Sequence, residues 1–441
     1  MSVRNPPTAG TAIDLTEDMR MRIQRRTRLL GPAYRLFYTE PLHIVRGRGV
    51  WLYDATGRAY LDVYNNVAAV GHCHPEVVAA MGRQAGTLNT HTRYLDDTIL
   101  DYAERLLSTF PQPLGHVMFT CTGSEANDLA LRIAKHRTGA SGFIVTSFAY
   151  HGGTDAVAAL SPSLGAGVLA GPHVRTVEPP NPYRTSGDVG GKFAAAVRGA
   201  AADLSNHGYR PAALIVDTVF SSDGIYMHPL GSLRPAVEAI RDVGGLFIAD
   251  EVQAGFGRTG ERFWGFQRHE VVPDLVSLGK PMGNGHPVAG LVMRPEIVVE
   301  FGAASRYFNT FGGNPVSAAV ALKVLEIMER DQLQEHATRV GARLMSGLHA
   351  LADRHKWIGD VRGAGLFIGV ELVTERARKV PASAASAAVV NGLRKRGVLI
   401  GVCAQAANVL KVRPPLVFDD NNADLFLNAL DDTLTSLPNA Q

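Results

Sequence analysis

The middle of this chain alternates short apolar runs with helix-length segments, and that alternation restricts its fold more than any other feature. Val117 to Thr120, Phe143 to Ser147, Ala213 to Val219, Leu246 to Ala249 and Leu275 to Leu278 are strand-length apolar runs. Helices between such runs predict a mostly parallel sheet covered on both faces. The expected fold class is α/β, with a large sheet domain. After Pro315 the texture changes, and a smaller α/β C-terminal domain is expected. A long helical pattern runs from about Ser317 to His355. A strand (Leu366 to Val373), a helix (Ala382 to Arg396), two strands around Val398 and Val412, and a last helix (Asn421 to Leu437) follow. Upstream, the first dozen residues read as a loose tail, Asp14 to Leu30 as helix-compatible, and Val45 to Val63 as short strands around the turn Asp54 to Gly57. Leu164 to Gly191, rich in Gly and Pro, is expected to be a surface connection. The division expected is 1–75 as an N-terminal segment packing with the small domain, 76–316 as the large domain and 317–441 as the small one.

Charge removes several function classes. Lys plus Arg is 44 and Asp plus Glu is 41, a net +3, too balanced to imply nucleic acid or a membrane surface as partner. Three cysteines, Cys73, Cys121 and Cys403, lack the spacing of a disulfide framework or a zinc site. Met1 to Leu15 has no apolar core like that of a signal peptide, and no run approaches the ~18 apolar residues of a membrane span. A cytoplasmic location is the expectation.

Three segments carry chemistry. Thr120–Asn127 (TCTGSEAN) follows a strand and opens a helix whose apolar stripe is Ala126, Leu129, Ala130, Ile133 and Ala134. Gly123 would let the backbone approach a ligand. Backbone N–H groups and the hydroxyls of Thr122 and Ser124 would converge there on a phosphate. Phe247–Gln253 (FIADEVQ) ends a strand with Asp250 and Glu251, where ligands of open parallel sheets bind. Ser277–Gly285 (SLGKPMGNG) puts Lys280 directly after a strand, among small residues, where desolvation makes an amine more nucleophilic. A phosphate cradle, an amine and an acid are the set that pyridoxal 5'-phosphate (PLP) requires. Tyr150 and His151 are expected to offer aromatic surface to its ring.

With those motifs in view, the chain resembles the class III (omega-type) aminotransferases of PLP fold type I. The resemblance rests on TGSEAN (122–127), YHG (150–152), ADEVQ (249–253), GKPMGNG (279–285) and NTFGGNP (309–315), and it runs from about Leu29 to Leu437. It implies that Gly123 and Ser124 hold the cofactor phosphate, and that Tyr150 stacks on the pyridine ring. It further implies that Asp250 pairs with the ring nitrogen, Gln253 approaches the ring hydroxyl, and Lys280 carries the cofactor as an imine. Thr310 would reach the phosphate of a neighbouring subunit, which makes a homodimer the expected unit, with tetramers left open. Arg413, in KVRPPL, matches an arginine that binds substrate carboxylates.

A narrower resemblance, to the phospho-lyase branch of that family, rests on LGPAYRLFY (30–38), YNNVAAVGHCHP (64–75), LNTHTRYL (88–95), GKPMGNGHPVAG (279–290) and GLFIGVELV (365–373). It implies elimination of phosphate from phosphoethanolamine, giving acetaldehyde, ammonia and inorganic phosphate. The alternative is amino transfer to a 2-oxo acid such as pyruvate. One departure favours the lyase. The Glu-Pro motif that many aminotransferases carry is replaced in LIVDTVFSSDGIY (214–226) by Asp217 and Asp223, which would leave Arg413 available to an anionic group. Arg413, Arg93 and Thr92 are the expected ligands of the substrate phosphate, with His72 and His74 behind them. No metal is expected.

Overall fold

The computed structural model describes residues 15–437. The loose tail expected for the first dozen residues, and Asp14, lie outside them.

The apolar runs form a seven-stranded sheet. Its order is His116–Thr120, Ala289–Met293, Leu275–Leu278, Leu246–Asp250, Pro211–Asp217, Gly142–Thr146, Val174–Val177. All neighbouring pairs are parallel except those of Ala289–Met293, which runs antiparallel to both its neighbours. Side chains alternate between faces along each strand. Leu214, Val216, Phe247 and Ala249 pack toward the helices Val189–Asn206 and Arg234–Asp242. Ala213, Ile215 and Ile248 pack toward the helix Gly123–Thr138, through Leu129, Ala130 and Ile133. Both faces are therefore covered, which is why the strands read as continuous apolar runs and not as alternating ones. This is the α/β fold class expected from the sequence.

Two expectations need correction. The Gly- and Pro-rich stretch 164–191 is not only a connection. It contains Val174–Val177, the edge strand of the sheet, and four residues were too short a signal among so many turn formers. The helical pattern from Ser317 to His355 is two helices, Pro315–Arg330 and Leu333–Arg354, separated at Gln332, which takes a left-handed φ of 47°. A single helix there would span about 58 Å; the break lets the second half pack on the strand Ile358–Ala364.

An antiparallel sheet of Ile358–Ala364, Phe367–Glu375, Val409–Val412 and Gly401–Cys403 follows. The N-terminal strands Ile44–Arg48, Trp51–Asp54 and Ala59–Asp62 form a third sheet that ends on Val398–Leu399. That pairing joins the two ends of the chain. Arg413 N–H donates to Val63 O (2.9 Å) and Leu416 N–H to Ala69 O (2.8 Å), so the 63–72 loop lies against the Arg413 segment. Among the described residues no helix is long and apolar enough to cross a membrane.

Adjacent acids at the end of Leu246–Asp250 face opposite ways. Glu251 is fully buried and holds the following turn. It accepts from Thr218 Oγ1 (2.6 Å), Gly265 N (2.7 Å) and Phe266 N (2.8 Å). Glu251→Ala strands three buried donors, each worth roughly 1–3 kcal/mol when unsatisfied. Urea unfolding of this variant is expected to show a loss of about 3 kcal/mol or more.

Candidate active site

At the carboxyl ends of the central strands lies a cavity of about 310 Å³, whose wall includes Gly123, Ser124, Tyr150, Asp250, Gln253 and Lys280. The topology gathers them: they lie at or just beyond the ends of four strands, His116–Thr120, Gly142–Thr146, Leu246–Asp250 and Leu275–Leu278, and parallel strands end on the same edge.

Asp250 is 5% exposed and firmly oriented. Its Oδ2 accepts from His151 Nδ1 (2.7 Å) and Asn127 Nδ2 (3.0 Å), and its Oδ1 from Val252 N–H (3.1 Å). A carboxylate takes about four hydrogen bonds, so these three leave one acceptor position for a cationic ring N–H. A carboxylate only accepts, which puts the proton of this pair on His151 Nδ1. His151, expected to offer ring surface, borders the cavity, and its placement gives it a further task. Its side chain is fully buried and serves as a donor that fixes Asp250. Tyr150 is half-buried on the wall, and burial, together with the Asp250 carboxylate, raises its pKa. Asn127 escaped notice in the sequence although it ends the TGSEAN motif. One turn beyond Ser124 (i, i+3), it shares that helix face, which was the available signal.

The phosphate cradle is narrower than expected. Thr122 caps the helix, its Oγ1 accepting from Glu125 N–H (3.2 Å). The Glu125 carboxylate accepts from the N–H groups of Cys121 (2.7 Å) and Thr122 (3.0 Å). Those two amides are thereby taken. The N–H groups of Gly123 and Ser124 open the helix, where the helix's own carbonyls cannot reach them. Ser124 Oγ accepts from Gly153 N–H (3.1 Å), which leaves its own proton to donate. Gly152 (φ 146°) allows that approach, since a Cβ there would stand 2.5 Å from Ser124 Oγ. Packing is a further reason for Gly123 to be small: its Cβ would lie 2.8 Å from Val252 Cγ2.

Lys280 opens a tight turn at a φ of 26°, directly after the strand Leu275–Leu278. Burial lowers its pKa to about 8, with the Arg413 charge adding to the effect and Asp250 and Asp217 opposing it. An amine so placed has a far larger neutral, nucleophilic fraction near physiological pH than an exposed lysine. Donors for a phosphate, an acid with one open acceptor position and a desolvated amine share one cavity, and this set fits PLP.

The remaining expected residues do not line this cavity. Arg413 is 3% exposed and is not left available, as the departure at Asp217 had suggested. Its Nη1 donates to Asn66 Oδ1 (2.6 Å) and Gln253 Oε1 (2.6 Å), and its guanidinium lies over the Tyr64 ring. Gln253 in turn donates from Nε2 to Ser221 Oγ (2.5 Å), whose hydroxyl donates to Asp217. Arg93 and Thr92 are exposed and off the cavity wall, with Arg93 over the Phe308 ring. His72 pairs with buried Asp62 (2.7 Å), and His74 precedes the helix Pro75–Ala85 at its N-cap. Thr310 is exposed between Phe308 and Phe311, also exposed, and does not border its own chain's cavity.

The fold and this edge of the sheet define a PLP-dependent enzyme of fold type I. Residues 37–434 match the model of the class-III aminotransferases, and the chain belongs to that family. It is 40% identical to a Drosophila melanogaster protein described as alanine–glyoxylate aminotransferase 2-like, over 97% of this chain and 89% of the relative. It is 36% identical to ethanolamine-phosphate phospho-lyase homolog 1 of Caenorhabditis elegans, over 95% of each. Among solved structures it is similar to a phospholyase from Arthrobacter in complex with phosphoethanolamine. The TM-score is 0.92 and the identity 42%, over 95% of this chain and all of that one.

Borohydride treatment of the PLP-loaded protein is expected to fix the cofactor to Lys280, and Lys280→Ala to leave none attached, as read by mass spectrometry of the peptides. Because the neutral amine reacts, capture of PLP by the cofactor-free protein should accelerate as pH rises, by about tenfold per pH unit, and level off above pH 8. A rate independent of pH between 6 and 8 contradicts the desolvated-amine assignment.

Proposed function

We propose that this enzyme eliminates phosphate from phosphoethanolamine, giving acetaldehyde, ammonia and inorganic phosphate. The observation that carries this reading is the placement of Arg413. It sits behind Gln253 and Asn66, and the cavity wall among the described residues does not include it. An enzyme that moves amino groups between amino acids and 2-oxo acids must hold a carboxylate, for which a bidentate arginine is the usual device. Phosphoethanolamine has no carboxylate. Similarity to the Arthrobacter phospholyase and the C. elegans phospho-lyase homologue supports the same reading. Similarity to the alanine–glyoxylate aminotransferase 2-like protein favours a second one, transfer of an amino group to a 2-oxo acid.

When bound, PLP supplies a ring that accepts electrons from the carbon beside the substrate nitrogen. Asp250, fixed by His151 and Asn127, would keep the ring nitrogen protonated. Gly123 and Ser124 would hold the phosphate through their N–H groups and the Ser124 hydroxyl, at the positive end of a helix. Tyr150 would cover a ring face, and Gln253 would approach the ring hydroxyl. Lys280 takes the proton from the carbon that bears the nitrogen. The phosphate then departs from the adjacent carbon with the C–O electron pair. Exposed Thr310, flanked by exposed Phe308 and Phe311, supports a homodimer in which a second copy covers this surface.

The PLP-loaded protein, given phosphoethanolamine and no 2-oxo acid, should release phosphate and acetaldehyde in equal amounts over many turnovers. Release that starts only when pyruvate is added, with alanine as the product, supports the aminotransferase reading and contradicts the lyase.

A further inference from the structure

His286 shares the cavity wall with Lys280, carried there by the turn Lys280–Gly283 and a left-handed Asn284 (φ 48°). Its backbone is fixed on both sides. His286 N–H donates to Gly283 O (2.8 Å). Asn284 accepts from Val70 N–H (3.0 Å) and donates to Gly71 O (2.8 Å). The ring is oriented by Ser317, with Nε2 2.9 Å from its Oγ.

The hydrogen bonds of Ser317 favour one tautomer. Its hydroxyl accepts from Asn314 Nδ2 (2.9 Å) and donates its one proton to Pro287 O (3.2 Å). Toward His286 it can then only accept, so Nε2 carries the hydrogen and the lone pair of the neutral ring sits on Nδ1. No group among the described residues hydrogen-bonds that nitrogen. Of the other polar side chains of the wall, Asp250 is engaged with His151 and Asn127, Gln253 with Ser221 and Arg413, and Asp217 with Ser221, while Ser124, Tyr150 and Lys280 belong to the set that fits PLP. The phosphate of the substrate needs a donor on the wall, and Arg413, Arg93 and Thr92 are not on it.

We propose that His286 binds the departing phosphate through Nδ1 and supplies its proton, an inference that rests on the lyase reading. A phosphate dianion beside the ring favours the imidazolium, whose Nδ1–H then donates to a phosphoryl oxygen. Burial alone lowers the pKa of His286, so the ring takes up its proton when the anion arrives. As the carbon next to nitrogen gives its proton to Lys280, that electron pair forms the carbon–carbon double bond. The C–O pair stays on the phosphate, and the Nδ1 proton moves to it, giving HPO₄²⁻ and neutral His286.

The test uses the PLP-loaded enzyme and two variants. His286→Gln puts an amide nitrogen where Nε2 stands, keeping the Ser317 contact with nothing at Nδ1. His286→Asn puts a donor near Nδ1 that cannot transfer a proton. Calorimetry with inorganic phosphate reads binding, phosphate release from phosphoethanolamine reads turnover, and PLP affinity reads the cofactor site. Expected for the Gln variant are phosphate binding weakened about tenfold, turnover slowed about a hundredfold and PLP affinity unchanged. The Asn variant should regain phosphate binding but not turnover. A Gln variant with wild-type phosphate binding and turnover overturns the inference while leaving the lyase reading intact. So does one that loses PLP affinity alone, which would assign His286 to the cofactor. A wild-type enzyme that releases no phosphate overturns the lyase reading itself, and the inference with it.

Discussion

Two carboxylates share the end of the central sheet, and the site is built around keeping them there. Asp217 and Asp250 are register partners on adjacent parallel strands, both buried. Burial and the Asp250 charge raise the pKa of Asp217, while Ser221 and the charge of Lys411 oppose that rise. Lys280, Lys411 and Arg413 stand around the pair: burial and then Arg413 lower both lysines, and the two aspartates raise Lys280. In a poorly screened interior such charges persist only with hydrogen bonds and opposite charges at hand. The same balance that tolerates a buried Asp250 delivers a lysine whose pKa is lowered to about 8.

The parts come from distant stretches of chain. The central strands provide Asp217, Asp250 and Lys280. The helix after His116–Thr120 provides the cradle and Asn127, and the loop after Gly142–Thr146 provides Tyr150 and His151. Arg413 arrives from the C-terminal sheet, and Asn66 from a loop held by the mixed N- and C-terminal sheet. Gly123, pressed against Val252, sets how closely the cradle helix approaches the acid-bearing strand.

The strands were legible because burial on both faces writes itself as continuous apolar runs. Lys280, Asp250 and Ser124 were legible because each directly follows such a run. Side-chain direction was not legible. Nothing in YHG distinguishes a ring that stacks from one that turns inward to donate to Asp250, and only the fold shows His151 doing the second. Arg413 looked available because its best-known acidic partner is replaced; Gln253 and Asn66, 160 and 347 residues away in sequence, engage it instead. The break at Gln332 carries no Gly or Pro to mark it. The His286 tautomer depends on a three-way arrangement of Asn314, Ser317 and Pro287 that appears only in space.

The central claim is that an aminotransferase scaffold here works without an amino acceptor. The most direct measurement mixes the PLP-loaded enzyme with excess phosphoethanolamine, quenches it after many turnovers, and determines by chromatography how much cofactor remains as the aldehyde and how much has become pyridoxamine phosphate. The account predicts that nearly all remains the aldehyde, because elimination returns the cofactor unchanged. Stoichiometric conversion to pyridoxamine phosphate would contradict it.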